Sequence, residues 1–341
     1  MRVTLGLLAY NHEQFIVSAL LGVLSQTYSG LQIIITDDAS SDRTPELIQE
    51  EIERYKGPHH VEFYRNAQNR GLAANINRHM ELATGELYVI AAGDDISYSH
   101  RVERLVEVFR GSGPETTSLH SNGRKIDGDG NSLGLFFSTP PTAWRCKSPD
   151  DARTFHGVWV FGASHAWSRR VFDFFGPLPE AVNYEDWVIP FRAGLIGKIV
   201  YIDEVLIDYR LHGSNLWFGN LDFRSDSRKW RAGKAKQVAN EIKALECKGR
   251  DLSLAHDKLP EIGTIVIPLQ HANQKALENA MVSHQLLEGG VCFWPKLKMV
   301  VYYCRSDQSF KQKLYWIITH FLPRLYLLYG QFRSVVVERQ Q

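Results

Sequence analysis

The sequence predicts an α/β protein: a Rossmann-type sheet with helices on both faces, followed by a helical extension at the carboxyl end. Three observations predict it. From Val3 to Ala92, short apolar runs alternate with segments of helical period. The connections between successive strands are too long for hairpins, which is the pattern of a parallel sheet. Past Asn215 the composition shifts to charged segments of helical pattern. The α/β domain is therefore assigned to residues 1–220 and the helical extension to residues 221–341.

Val3 to Leu8 is a short apolar run bounded by polar residues, as expected of a strand buried on both faces. Tyr10-Asn11-His12-Glu13 follows as a loop, and Phe15 to Leu24 has helical spacing. Leu31 to Thr36 is the second strand, and it runs into the polar cluster Asp37-Asp38-Ala39-Ser40-Ser41-Asp42. Pro45 opens a helix to about Tyr55, because proline is tolerated in a first helical turn. Val61 to Tyr64 is a third strand, Asn69-Arg70-Gly71 a turn, and Leu72 to Ala83 a helix. Leu87 to Ala92 is the fourth strand, and Gly93-Asp94-Asp95 stands where it should stop.

In a parallel sheet the Asp37-Asp38 and Asp94-Asp95 loops lie on one edge, just outside the carboxyl ends of the strands, where ligands bind in open α/β sheets. A hard divalent cation takes oxygen ligands and keeps substrate phosphates in its shell. Asp94 and Asp95 are thus candidates to hold a metal that in turn holds a diphosphate. The same residues also suit a solvated loop capping the helix that begins near His100. A dinucleotide fold would need a glycine-rich turn after the first strand. Tyr10-Asn11-His12 occupies that place, and the sequence has no GxxxxGK[ST] motif.

The chain has 341 residues and a formal net charge of +1, which gives no argument for bulk nucleic-acid binding. Its four cysteines, Cys146, Cys247, Cys292 and Cys304, have no metal-finger spacing, so a reduced, cytoplasmic setting is expected. The run Val3 to Ala9 reads better as a core strand than as a signal segment. No stretch approaches the roughly 18 uninterrupted apolar residues of a membrane span.

Beyond Asp95, Arg101 to Phe109 is an amphipathic helix, and Thr117 to His120 and Gly123 to Ile126 read as two strands. Asp127-Gly128-Asp129-Gly130-Asn131 imitates the start of a calcium loop, but Ser132 and Ser138 stand where Gly and Glu are required, so it reads as a hairpin turn. Phe136 to Arg153 is irregular. Phe161 to Ala166 reads as a strand returning to the sheet, and Arg170 to Phe175 as a short helix stopped by Gly176-Pro177. Glu185 and Asp186 open an apolar helix, Val188 to Leu195, where negative charge is favourable in any case. Lys198 to Ile202 and Val205 to Tyr209 are further strands.

These pieces together resemble the inverting, nucleotide-sugar-dependent glycosyltransferases of family 2, which have the GT-A fold. The matching segments are Leu8-Ala9-Tyr10-Asn11, Ser25-Gln26-Thr27-Tyr28, Thr36 to Asp42, Asn69-Arg70-Gly71 with Asn75, Ala83-Thr84-Gly85-Glu86 and Gly93-Asp94-Asp95. Tyr209 to Asn215 resembles the motif that closes the family's core. Leu8 is apolar where relatives often carry a hydroxyl. The resemblance implies a mixed GT-A sheet. It implies a nucleotide-binding set of Ala9, Tyr10, Asn11, Asp38, Arg70, Asn75 and Asp94, in which Tyr10 packs on the base and Asp38 accepts a hydrogen bond from it. Asp95, Asp94 and His212 would hold Mg²⁺ or Mn²⁺, and Arg210 would meet phosphate oxygens. Asp186 matches the base that takes the acceptor's proton, with Glu185 as the second candidate. The segment Phe136 to Arg153 falls where family members carry a loop beside the acceptor site.

The implied reaction moves a sugar from a UDP- or dTDP-linked donor to a hydroxyl of a glycan or lipid-linked glycan, in surface-polysaccharide synthesis. A nucleotidyltransferase and a non-catalytic nucleotide-sugar-binding scaffold are the alternatives. In the extension, Asp222 to Lys248 and Leu277 to Leu287 read as helices. Phe310 to Val337 mixes aromatic and aliphatic residues with Lys and Arg. Such segments fit peripheral contact with the inner face of the cell membrane, or packing on the core.

Overall fold

The computed structural model describes residues 1–141, 160–213 and 227–288. The chain divides into two units, Met1–Leu211 with Cys247–Ala272, and His212–Glu246 with Asn273–Gln341. The boundary expected near residue 220, the segment 142–153 and the tail from Phe310 to Val337 lie outside the described residues.

The first unit is built on β1 (Val3–Ala9), α1 (Ile16–Leu24), β2 (Gln32–Asp37), α2 (Thr44–Arg54), β3 (His60–Arg65), α3 (Leu72–Leu82) and β4 (Leu87–Ala92). Then come β5 (Ile96–Ser97), α4 (Arg101–Gly111), β6 (Thr116–Ile126), β7 (Ser132–Leu135), β8 (Ala166–Ser168), α5 (Arg170–Phe175), α6 (Glu185–Ile196) and β9 (Lys198–Arg210). A long helix α7 (Ser227–Lys258) runs through both units, as does α8 (Gly263–Glu288). In the second unit Val238 and Leu245 of α7 are buried with Ala280 and Leu287 of α8. No helix of the described residues is long and apolar enough to cross a membrane.

Among the described residues one mixed sheet has the order β3-β2-β1-β4-β8-β6-β9-β5, with β7 paired to β6. Strands β3, β2, β1 and β4 are parallel, as their helical connections require. β8 is antiparallel to both β4 and β6, so β6 again points the same way as β4, and β9 is parallel to β6. The carboxyl ends of β1, β2, β4, β6 and β9 therefore share one edge.

β1 is almost wholly buried, which explains a continuous apolar run where a half-exposed strand would alternate. Leu5, Leu7, Ile33, Ile35 and Val89 are completely buried in one core with α1 and α4. Each such side chain contributes about 1.5–3 kcal/mol relative to exposure. Two polar groups inside the sheet, Thr4 and His79, are paired. Thr4 donates to Gln32 Oε1 at 2.8 Å and accepts from the Gly85 amide at 3.0 Å. His79 bridges Thr36 Oγ1 at 2.5 Å and the Tyr88 hydroxyl at 2.7 Å. Burial drives the His79 pKa down to about 3, so the imidazole is neutral. Gly6 leaves the room for this pair, since a Cβ there would lie 2.0 Å from Tyr88 Oη.

The structure revises three strand assignments. Residues Gly162–Ser164 form a 3-10 turn, and the returning strand begins only at Ala166, where Val89 supplies a partner. Phe161, Ser164 and His165 are buried by tertiary packing, without the run forming a ladder before Ala166. Thr117–His120 and Gly123–Ile126 are one strand, and so are Lys198–Ile202 and Val205–Tyr209. The polar residues that suggested breaks mark a bulge. Ser121 pairs with Ile202 and Asn122 with Val205, so Asp203 and Glu204 are the extra residues.

Candidate active site

The register brings the two predicted loops together. Ala9 lies opposite Asp37, and Leu8 opposite Ala92. The ladder continues past the strands: the Asp38 amide donates to Ala9 O at 2.9 Å, and the Gly93 amide to Leu8 O at 2.8 Å. Both carboxylate loops thus flank the end of β1. Tyr10 is 45% exposed there, an aromatic face open to a ligand. Asn11 adopts left-handed backbone with φ 54°, a conformation its short amide tolerates. Its Oδ1 accepts from the Ser41 amide at 2.9 Å, and its own amide donates to Ser40 Oγ at 2.8 Å.

Asp38 is buried and organises the neighbouring turn. Its Oδ1 accepts from Asn66 Nδ2 and from the Arg70 amide, both at 2.8 Å, and its Oδ2 accepts from the Gly71 amide at 2.9 Å. A carboxylate has about four acceptor positions, so capacity for one further donor remains. Asn75 also supports this turn, accepting from Asn66 at 2.7 Å and donating to Gly71 O at 2.8 Å. The Arg70 guanidinium reaches across to Glu180 Oε1 at 2.9 Å.

Gly93 is required by close packing, since a Cβ there would lie 2.6 Å from His12 Nδ1. His12 Nε2 in turn stands 3.8 Å from Asp94 Oδ2. Asp95 is buried, and its Oδ1 accepts from the Arg210 amide at 2.9 Å. Burial pushes its pKa well above the usual carboxylate range, the charge of Asp94 adds to this, and Arg101 and Arg210 oppose it. The Arg210 guanidinium donates to backbone carbonyls of Asp94, Asp127 and Gly128 at 3.0, 3.2 and 2.9 Å. It is thus engaged in fixing the β4 and β6 ends. Arg101, fully buried, ties Ile90 O to Ser97 Oγ, each at 2.8 Å.

Among the described residues no three His, Cys, Asp or Glu side chains gather as a ready-made metal cage. The donor set at β4 is two adjacent carboxylates, one buried with a raised pKa. That set suits Mg²⁺, which is usually held by one or two carboxylates and completes its shell with water and substrate phosphates. His212 opens the second unit.

The second predicted pair, Glu185 and Asp186, occupies the first turn of α6. The 3-10 turn packs against it: a Cβ on Gly162 would lie 3.0 Å from Asp186 Cβ and 3.3 Å from Glu185 Oε1. Burial, and then the charge of Asp186, push the Glu185 pKa up to about 8. Glu185 therefore holds its proton more tightly than an ordinary carboxyl. Because the folded state holds this proton more tightly than the unfolded chain, the group's contribution to stability falls as pH rises from about 4.5 to about 8. Glu185→Gln is expected to flatten the fall in Tm between those pH values, as read by thermal unfolding at a series of pH values.

Two residues of the site, His12 and Gly162, were given no role by the sequence, and Tyr209 was read only as the start of the closing motif. Tyr209, at the end of β9, meets Phe136 and Phe161 edge-on at 5.8 and 5.3 Å. Its hydroxyl pKa is raised by burial and then by the charges of Asp95, Asp94, Asp186 and Glu185.

Residues 4–174 match the family described as glycosyl transferase family 2. The chain belongs to that family. The match stops before α6, so Glu185, Asp186 and Tyr209 lie beyond it. An uncharacterised glycosyltransferase of Nostoc is 27% identical over 63% of this chain and 66% of its own length. An uncharacterised protein of Mycobacterium tuberculosis is 29% identical over 70% of this chain and, again, 66% of its own length. The chain thus spans just under two thirds of these relatives. The chondroitin synthase of Escherichia coli is 25% identical over 66% of this chain and 31% of its own. Among solved structures, Staphylococcus aureus TarS 1-349 in complex with UDP-GlcNAc shares the fold, with a TM-score of 0.54, 15% identity and 92% of each chain covered. So does the Pyrobaculum calidifontis mannosyltransferase PcManGT in complex with GDP-Man and Mn²⁺, with a TM-score of 0.52, 17% identity, and 98% of this chain and 87% of that chain covered. The expected GT-A fold is thereby borne out, and a nucleotidyltransferase or a scaffold is not favoured.

Proposed function

We propose that this family 2 glycosyltransferase is an inverting, metal-dependent hexosyltransferase. It moves a sugar from a UDP- or dTDP-linked donor to a hydroxyl of a glycan or lipid-linked glycan, in surface-polysaccharide synthesis at the cytoplasmic face of the membrane. The observation that carries the reading is the strand register that sets the Asp38 and Asp94–Asp95 loops on either side of the end of β1. The donor reading draws support from neighbours of the same fold in complex with UDP-GlcNAc and with GDP-Man and Mn²⁺.

In this reading Tyr10 stacks on the nucleobase, and Asp38 accepts a hydrogen bond from it while holding the Arg70–Gly71 turn. Ala9, Asn11 and Asn75 keep the walls of the nucleotide pocket in register, and Arg70 closes its side. Asp95 and Asp94 would hold Mg²⁺ or Mn²⁺. When bound, the ion neutralises charge on the leaving diphosphate. Asp186 takes the acceptor's proton as its oxygen attacks the anomeric carbon from the face opposite the diphosphate, and the configuration inverts. The raised pKa of Glu185 favours a single negative charge on the pair, which leaves one carboxylate free to act as base.

The test is calorimetry with a panel of nucleoside-diphosphate sugars, with and without Mg²⁺ or Mn²⁺. One donor is expected to bind only with the metal, and Asp38→Ala to weaken that binding about tenfold or more, through the lost bond to the base and the released turn. A panel in which nothing binds under either condition overturns the donor reading.

A further inference from the structure

Helix α6, which opens with Glu185 and Asp186, is buried along its length from Val188 to Leu195. A helix apolar all round must be covered on every side. One cover is the part of α7 that belongs to the first unit. Cys247, Lys248, Asp251, Leu252 and Ala255 are all buried, and their spacing puts them on one face. Lys248 Nζ lies 6.0 Å from the Trp187 ring and 5.2 Å from the Phe191 ring. The most specific contact is ionic. Arg192 Nε donates to Asp251 Oδ2 at 2.8 Å, and Nη2 to Oδ1 at 3.0 Å, with both side chains almost fully buried. The same guanidinium donates to Gly176 O at 2.8 Å, where α5 ends.

Pro190 makes these contacts matter. It sits inside α6 and has no N–H to give to the carbonyl four residues earlier, which is that of Asp186. The turn that bears the two carboxylates is therefore not tied to the next turn by the usual backbone bond at that point. Its direction depends on what grips the rest of the helix. A bidentate Arg–carboxylate pair supplies both strength and a fixed angle.

We infer that Arg192 and Asp251 are positioning residues for the transfer reaction: α7, far beyond the family match, clamps α6 through this pair and aims the Glu185–Asp186 turn at the acceptor. The inference rests on Asp186 being the base. A misplacement of about 1 Å in such a group lowers rate by about 10²-fold.

The test uses the full chain and its nucleotide release from UDP-GlcNAc, with water as acceptor. Arg192→Lys and Asp251→Asn are expected to lower kcat by about 10²-fold while the donor Kd stays within about twofold. In an Asp186→Asn background the same changes are expected to cost nothing further, because the group they aim is gone. The apolar pair Arg192→Met/Asp251→Leu is expected to restore any lost Tm without restoring kcat. Equal losses in both backgrounds, or recovery of kcat with the apolar pair, overturn the positioning role. Should Asp186→Asn itself leave kcat unchanged, the base assignment fails, a result separate from any effect of Asp251→Asn in the native background.

Discussion

Replacing Asp94 and Asp95 together by Asn should leave a folded, more heat-resistant and inactive protein. A bound ion contributes several kcal/mol at a developing charge, so the loss in turnover is expected to be about 10³-fold or more. The stability change runs the other way. Asp95 is buried beside Asp94, and burial and then that neighbouring charge raise its pKa, so ionising the pair costs the folded state free energy. Asn removes both charges and keeps an acceptor for the Arg210 amide. The Tm of the double variant should exceed that of the native protein in metal-free buffer. Nucleotide release that persists in this variant and still responds to Mn²⁺ would move the metal elsewhere.

Asp186→Asn is expected to lower turnover by about 10²–10⁴-fold, the usual worth of a placed general base, with donor affinity nearly unchanged. The substitution keeps the shape that packs against Gly162, so its effect reads chemistry, not fit. Steady-state rates and calorimetry on one preparation give both quantities. Ordinary turnover with this variant would hand the base to another residue, with Glu185 first in line.

Why the core of this site was legible in sequence, and parts of it were not, follows from where each residue sits. Asp38 and the Asp94–Asp95 pair stand at the ends of apolar strands, and a parallel sheet brings such ends to one edge whatever the details of packing. Boundaries failed where tertiary packing mimics a local signal. Phe161 to Ala166 reads as a strand because it is buried, yet the turn at Gly162–Ser164 must pass beside Asp186. Asp203 and Glu204 read as a break because charge is unusual inside a strand, and a bulge accommodates them. Arg210 was expected to meet phosphate oxygens; its guanidinium also donates to three backbone carbonyls, a role with no pattern of its own. Tyr209 and His12 are single residues whose meaning comes only from the strands beside them.

The link between Arg192 and Asp251 also sets an order of events during synthesis. The two residues are 59 positions apart. At about 5–20 residues per second, a nascent chain that has released α6 from the ribosome waits roughly 3–12 s for its carboxylate partner. Until then a guanidinium destined for the interior stays in water, and the turn bearing Glu185 and Asp186 lacks its grip. The strands from β1 to β4 can assemble in that interval, because their partners have already emerged. The part of the first unit that carries Glu185 and Asp186 is thus completed after the part that carries Asp38 and the Asp94–Asp95 pair.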